Sequence, residues 1–232
     1  MILEIAVACP RLVRLALHFD PPSLQHIGST FPRIGRLESI SQGLDSLFHV
    51  CRRLEDLSLD CPHSIVAFPG SISNLAGLVR LKIRVGDSVR RLPEKIGALS
   101  ALEPFSLEAP RLTSLPSSLG DLSKLRELEL RGCSSLTSVP ETIGQLLKLS
   151  NFRVLSPDGR LSLPKGLCHC TSLDTQDLCL SRLTGLHEDL GNLTNLRRLH
   201  LSCSNLTYLP SSLCQLSLLK SLQLHMCLKT TG

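Results

Sequence analysis

The 232-residue chain carries 25 Lys and Arg against 20 Asp and Glu, a formal charge of +5, with 42% apolar residues, one Tyr and no Trp. That charge is dispersed and no Lys/Arg run is interleaved with aromatics, which argues against nucleic-acid binding. No run of about 18 consecutive apolar residues is present, as a membrane span needs, and the apolar start at residues 1–9 contains Glu4 and lacks a basic segment, so no secretory leader is read.

From the N-terminus, Leu12, Leu15 and Leu17 read as a first short strand, with Ala6 and Cys9 six and three residues before it. The stretch up to Leu54 has room for two more such units but reads as irregular, broken by Asp20-Pro21-Pro22 and Phe31-Pro32, and Phe48 and Cys51 rejoin the pattern. Residues 1–53 are therefore an irregular N-terminal region. From Leu54 the pattern L-x-x-L-x-L recurs, as Leu54-Leu57-Leu59, Leu78-Leu81-Ile83, Leu102-Phe105-Leu107, Leu125-Leu128-Leu130 and Leu149-Phe152-Val154. It returns at Leu196-Leu199-Leu201 and Leu219-Leu222-Leu224, with an imperfect copy at Leu173 whose second core position is Gln176. Residues 54–232 thus hold about eight units of 23–24 residues, the last truncated.

Counting each unit from its first Leu, positions +3 and +5 fall on one face of a short strand, because strand side chains alternate. Nine residues before the next unit comes Pro69, Pro93, Pro116, Pro140, Pro164 or Pro210, with His187 as the exception. Proline, with φ fixed and no N–H, suits the start of a short helical or 3-10 turn. Apolar residues follow at −6 and −3, and a small residue at −5 suits close backbone packing. One unit cannot bury its leucines alone, whereas stacked units form a continuous core. The expected fold is an α/β leucine-rich-repeat solenoid, with a curved parallel sheet on the concave face and short helical or 3-10 segments on the convex face. Gln176 is expected either to be hydrogen-bonded or to mark a strand shifted onto Leu178 and Leu180.

Ten cysteines raise the question of a disulfide framework. Cys9, Cys51 and Cys170 occupy the leucine position at −3, Cys168 and Cys214 the small-residue position at −5, and Cys133 and Cys227 the turn at +8. Only Cys61, Cys203 and Cys179 have no such explanation. Seven cysteines filling repeat positions favour a reduced, cytoplasmic protein.

The string running from Leu125, Leu128 and Leu130 through Cys133, Leu136, Val139-Pro140, Ile143-Gly144 and Leu146 resembles the repeats of plant intracellular disease-resistance proteins of the nucleotide-binding leucine-rich-repeat family. Units such as Leu112 to Gly120 equally resemble Ras-group signalling scaffolds. The first resemblance implies a protein-recognition or regulatory module in defence signalling, whose partner is an acidic protein surface or an adjacent nucleotide-binding domain. No phosphate-loop motif accompanies it, so nucleotide binding is not implied for this chain, and no cofactor is expected. The alternatives are a standalone scaffold and a secreted or cell-surface receptor ectodomain. The sequons at Asn192 and Asn205 would matter only in the last. The ends, lacking a polar capping repeat over 226–232, suggest a piece of a longer protein.

Positions +1, +2, +4, +6 and +7 are expected to form the concave face. There the +4 row reads Ser58, Lys82, Ser106, Glu129, Arg153, Asp177, His200, Gln223, and the +6 row Asp60, Arg84, Glu108, Arg131, Leu155; charge signs alternate along both rows. Arg197, Arg198, His200, Lys220 and His225 gather at the C-terminal end, with Asp174 and Asp177 one unit back. Together with Arg153 and Asp177 they are the candidate partner-binding residues. The only aromatic expected on the concave strands is Phe19, so any binding there should be polar. No catalytic constellation is present, and Cys168-His169-Cys170 lacks a second pair at metal-ligand spacing, so an enzyme is not expected.

Overall fold

The computed structural model describes residues 11–19, 38–61, 65 and 67–225. The expectations placed on Ala6, Cys9, Pro21, Pro22, Phe31, Pro32, Cys227 and the rest of 226–232 lie outside these residues. Nine parallel strands form one sheet in sequence order: β1 Arg14–His18, β2 Asp56–Cys61, β3 Arg80–Val85, β4 Pro104–Glu108, β5 Glu127–Arg131, β6 Asn151–Leu155, β7 Thr175–Cys179, β8 Arg198–Ser202 and β9 Ser221–His225. The leucine pattern sets the register. Leu57 pairs with Leu81, Leu81 with Phe105, Phe105 with Leu128 and Leu128 with Phe152, so each core side chain stacks on its own copy. All of these are buried. Pro104 is tolerated inside β4 because Glu103 N–H alone meets the Val79 carbonyl, a position where neighbouring units use two N–H groups.

A 3-10 turn on the convex side joins successive strands, as in Gly70–Asn74, Glu94–Ala98 and Ser117–Asp121. Proline sits at the cap just before each turn, with Pro93 at φ −68° and ψ 141°. Its carbonyl accepts the first turn hydrogen bond, from Ile96 N–H at 3.1 Å. His187 takes the same place with φ −71° and ψ 142°, and its Nδ1 accepts from Asp189 N–H. The small residue at −5 is required by the next turn: a Cβ on Gly144 would lie 2.6 Å from the Gly166 carbonyl oxygen.

Two features depart from the repeat reading. First, β1 pairs directly with β2 (Leu15 with Leu57), so a single connection over residues 19–55 takes the place of a further repeat strand. Within it Glu38–Val50 is a helix, α1, where irregular chain was expected. It buries Ile40, Leu44, Leu47 and Phe48, one face at helical spacing. It packs against the Gly70–Asn74 turn, with Phe48 and Phe68 rings 6.3 Å apart. Second, β7 does not shift. Gln176 sits in register between Phe152 and Leu199, fully buried, and neither its oxygen nor its nitrogen has a hydrogen-bond partner.

The alternation that buries +3 and +5 continues to +7. Cys61, Val85, Ala109, Ser156, Leu180 and Cys203 all point inward and are buried, and so is Phe19. The +7 position therefore belongs to the core and not to the concave surface. This accounts for Cys61 and Cys203, and it removes Phe19 from the candidate binding face. Cys133 occupies the equivalent inward place, because Gly132 before it adopts φ +56° and takes up one extra residue.

Candidate partner-binding face

The concave surface consists of the outward side chains at +2, +4 and +6, flanked at the strand entrances by +1 residues such as the exposed Arg197 and Lys220. The pairing aligns the +4 row as expected, Ser58 with Lys82, Lys82 with Ser106, and so on through Glu129, Arg153, Asp177 and His200 to Gln223. On the +6 row Arg84 bridges two neighbouring strands, 3.4 Å from Asp60 and 3.2 Å from Glu108. Arg131 breaks the lateral ladder by pairing with Glu129 on its own strand at 2.8 Å. Glu129 also accepts from the Ser106 hydroxyl at 3.1 Å. The Arg131 hydrogen bond holds the Glu129 carboxyl below the usual glutamate range despite partial burial.

The basic C-terminal cluster is brought together with acids. Arg197 and Arg198 both reach Asp174, at 3.3 and 2.6 Å, and Arg198 also donates to the Thr175 hydroxyl. His200 Nδ1 lies 2.8 Å from Asp177, and its ring meets that of His225 edge-on at 5.4 Å. Lys220 is exposed just before β9. Arg153 lies on β6 between Glu129 and Asp177 and makes no ion pair within 4 Å among the described residues. The roles of Asp174 as a shared acid and of Thr175 were not legible, since one acid serving two arginines depends on side-chain reach.

A depression of about 300 Å³ opens in the middle of this face, lined by residues of β2 to β6 that include Ser58, Lys82, Ser106, Glu129, Asn151 and Arg153. Only Arg153 among these was a candidate. A concavity follows from sheet curvature, and no residue type in the repeat marks it.

Six of the eight described cysteines are buried in the core, while Cys179 is half-buried and Cys214 exposed. Burial pushes Cys61 and Cys170 up to about 12, and Cys133 and Cys168 up to about 11. A thiol that stays protonated is a poor nucleophile and metal ligand. Among the described residues no three His, Cys, Asp or Glu side chains are placed to hold a metal. No helix among them is long and apolar enough to cross a membrane.

Stacked parallel strands, turns opened by proline and a polar concave sheet define the class: the chain belongs to the leucine-rich-repeat proteins, and the model of a leucine-rich repeat region matches residues 105–232. A curated relative is TMV resistance protein N of Nicotiana glutinosa, 32% identical over 187 residues. That match takes in 80% of this chain but only 14% of the relative's length. Among solved structures, a Leptospira interrogans leucine-rich-repeat protein superposes with a TM-score of 0.65 at 25% identity, covering 81% of this chain and 46% of that one. The Arabidopsis receptor kinase HAESA, in complex with the peptide hormone IDA and the co-receptor SERK1, gives 0.60 at 25% identity, covering 78% and 31%. The chain is a leucine-rich-repeat domain that resembles the repeats of plant resistance proteins.

Proposed function

We propose that this chain is the recognition or regulatory module of an intracellular, defence-type signalling protein, which contacts a protein partner through its concave sheet. The observation that carries the reading is the likeness to a resistance protein across four-fifths of the chain, joined to a face whose outward rows are polar and charged. The buried thiols fit a reducing cytoplasm. In this reading a nucleotide-binding domain lies elsewhere in a longer parent protein, and the basic end at Arg197, Arg198, His200, Lys220 and His225 adds to the contact surface.

The test is affinity capture from plant tissue, comparing the wild type with an Arg197→Glu/Arg198→Glu variant and identifying captured proteins by mass spectrometry. A partner captured by the wild type and lost with the variant supports the reading. Identical capture by both removes the basic end from it. A receptor ectodomain is the second reading, favoured by the HAESA likeness and by the exposure of both Asn192 and Asn205. Glycans at those residues in protein from its native source would select it.

A further inference from the structure

Most cations on the concave strands are already paired. Arg80 meets Asp56, Arg84 meets Asp60 and Glu108, Arg131 meets Glu129, and Arg198 meets Asp174. Among the described residues of β2 to β8, Lys82 and Arg153 are the Lys and Arg side chains with no ion pair within 4 Å, and both are exposed. They share the +4 row, separated by Ser106 and Glu129. Three strand spacings of ~4.8 Å place them ~14 Å apart. Both line the central depression of about 300 Å³. Glu129 between them is engaged by Ser106 and Arg131; it attracts Arg153 but forms no ion pair within 4 Å with either cation.

An extended peptide advances ~3.4 Å per residue, so four residues also span ~14 Å. Side chains alternate with period 2, so those at i and i+4 project from the same side of an extended segment, whereas those at i and i+3 project from opposite sides. The residue at i+2 shares that side and falls midway between Ser106 and Glu129, where a third acid would be repelled by Glu129. We propose that the centre of the concave face, from β3 to β6, binds an extended acidic segment of a protein partner. Its carboxylates at i and i+4 sit on Lys82 and Arg153, with a neutral residue at i+2. This deepens the reading of the concave sheet as the partner surface and rests on it.

The experiment is an NMR titration of the full chain with three synthetic nine-residue peptides of Ser and Val. One carries Asp at positions 3 and 7, one at 3 and 6, and one at 3, 5 and 7. The first should shift the amides of Lys82, Ser106, Glu129 and Arg153 and bind up to about fivefold more tightly than the others, as expected for losing one exposed ion pair of up to ~1 kcal/mol. Lys82→Glu and Arg153→Glu should each weaken it at least about fivefold, and the exposed positions of both residues leave the fold intact, checked by circular dichroism. Equal affinity for all three peptides, shifts confined to β7–β9, or no binding at all overturns the proposal. Where the peptides fail but the Arg197→Glu/Arg198→Glu variant loses a captured partner, the acidic-segment site falls and the interaction-module reading stands.

Discussion

Leu128 in β5 and Gln176 in β7 occupy the same place in their units, two strands apart and both beside Phe152. Around Leu128 the layer is apolar, with Phe105 and Phe152 on either side and all three buried. Around Gln176 the same layer holds an amide with no hydrogen-bond partner, and Thr175 next to it is also buried. The backbone nonetheless runs in identical register through both. Asp174 and Thr175 N–H both bond to the Ser150 carbonyl, as Ser150 and Asn151 N–H do to that of Arg126. Register is set by these bonds and by the remaining leucines of the unit, Leu173, Leu178 and Leu180, which are all buried. One polar residue in the stack therefore changes the stability of the fold and leaves its topology alone.

Three substitutions probe that contrast. Leu128→Ala, in the apolar layer, should cost about 2–5 kcal/mol by urea unfolding, since the lost contacts leave a cavity between two phenylalanines. A loss well under that range would mean the layer collapses and the two regions differ less than their chemistry implies. Gln176→Leu should act in the opposite direction and stabilise by about 1–3 kcal/mol, because it removes an unpaired buried amide at similar volume. If the variant is no more stable than the wild type, the amide is satisfied in solution and the contrast dissolves.

The smallest effect concerns the surface above Leu128. Arg131→Ala should raise the Glu129 carboxyl toward the usual glutamate value, readable by NMR titration. Because the folded-state value is depressed, the Glu129 contribution is present above the unfolded glutamate value and lost as pH falls through the lower, folded one. Deleting Arg131 should therefore remove at most ~1 kcal/mol at neutral pH, with no difference from the wild type once the pH lies below both values.

The strand positions, the shared register and the proline-opened turns were legible because a stacked fold repeats every requirement, so each appears at least six times over in the pattern. The inward turn at +7 was not, since it continues the strand alternation beyond the last leucine and is filled by residues as different as Cys61, Val85, Ala109 and Ser156. Helix α1 left a readable trace in Ile40, Leu44, Leu47 and Phe48, but its helical period lies inside a region otherwise lacking the repeat. The charge rows could be aligned from spacing alone. Which cation pairs with which acid could not, because Arg131 reaching back to Glu129 and Arg197 and Arg198 converging on Asp174 are choices of side-chain rotamer.

Gly132 illustrates how units of unequal length share one sheet. In the 23-residue units the last inward residue of the strand is followed three positions later by the next buried one, as from Ala109 to Leu112 and from Cys203 to Leu206. In the 24-residue units the extra residue enters this same turn, as Gly132 ahead of Cys133 or between Val85 and Val89, and the spacing from proline to the next strand stays constant. A one-residue change in unit length is therefore dissipated within a single exposed bend and never reaches the neighbouring unit. Gain or loss of whole units, or of single residues in that bend, leaves the rest of the array in frame, so the length of the concave face can change without redesign of the units that remain.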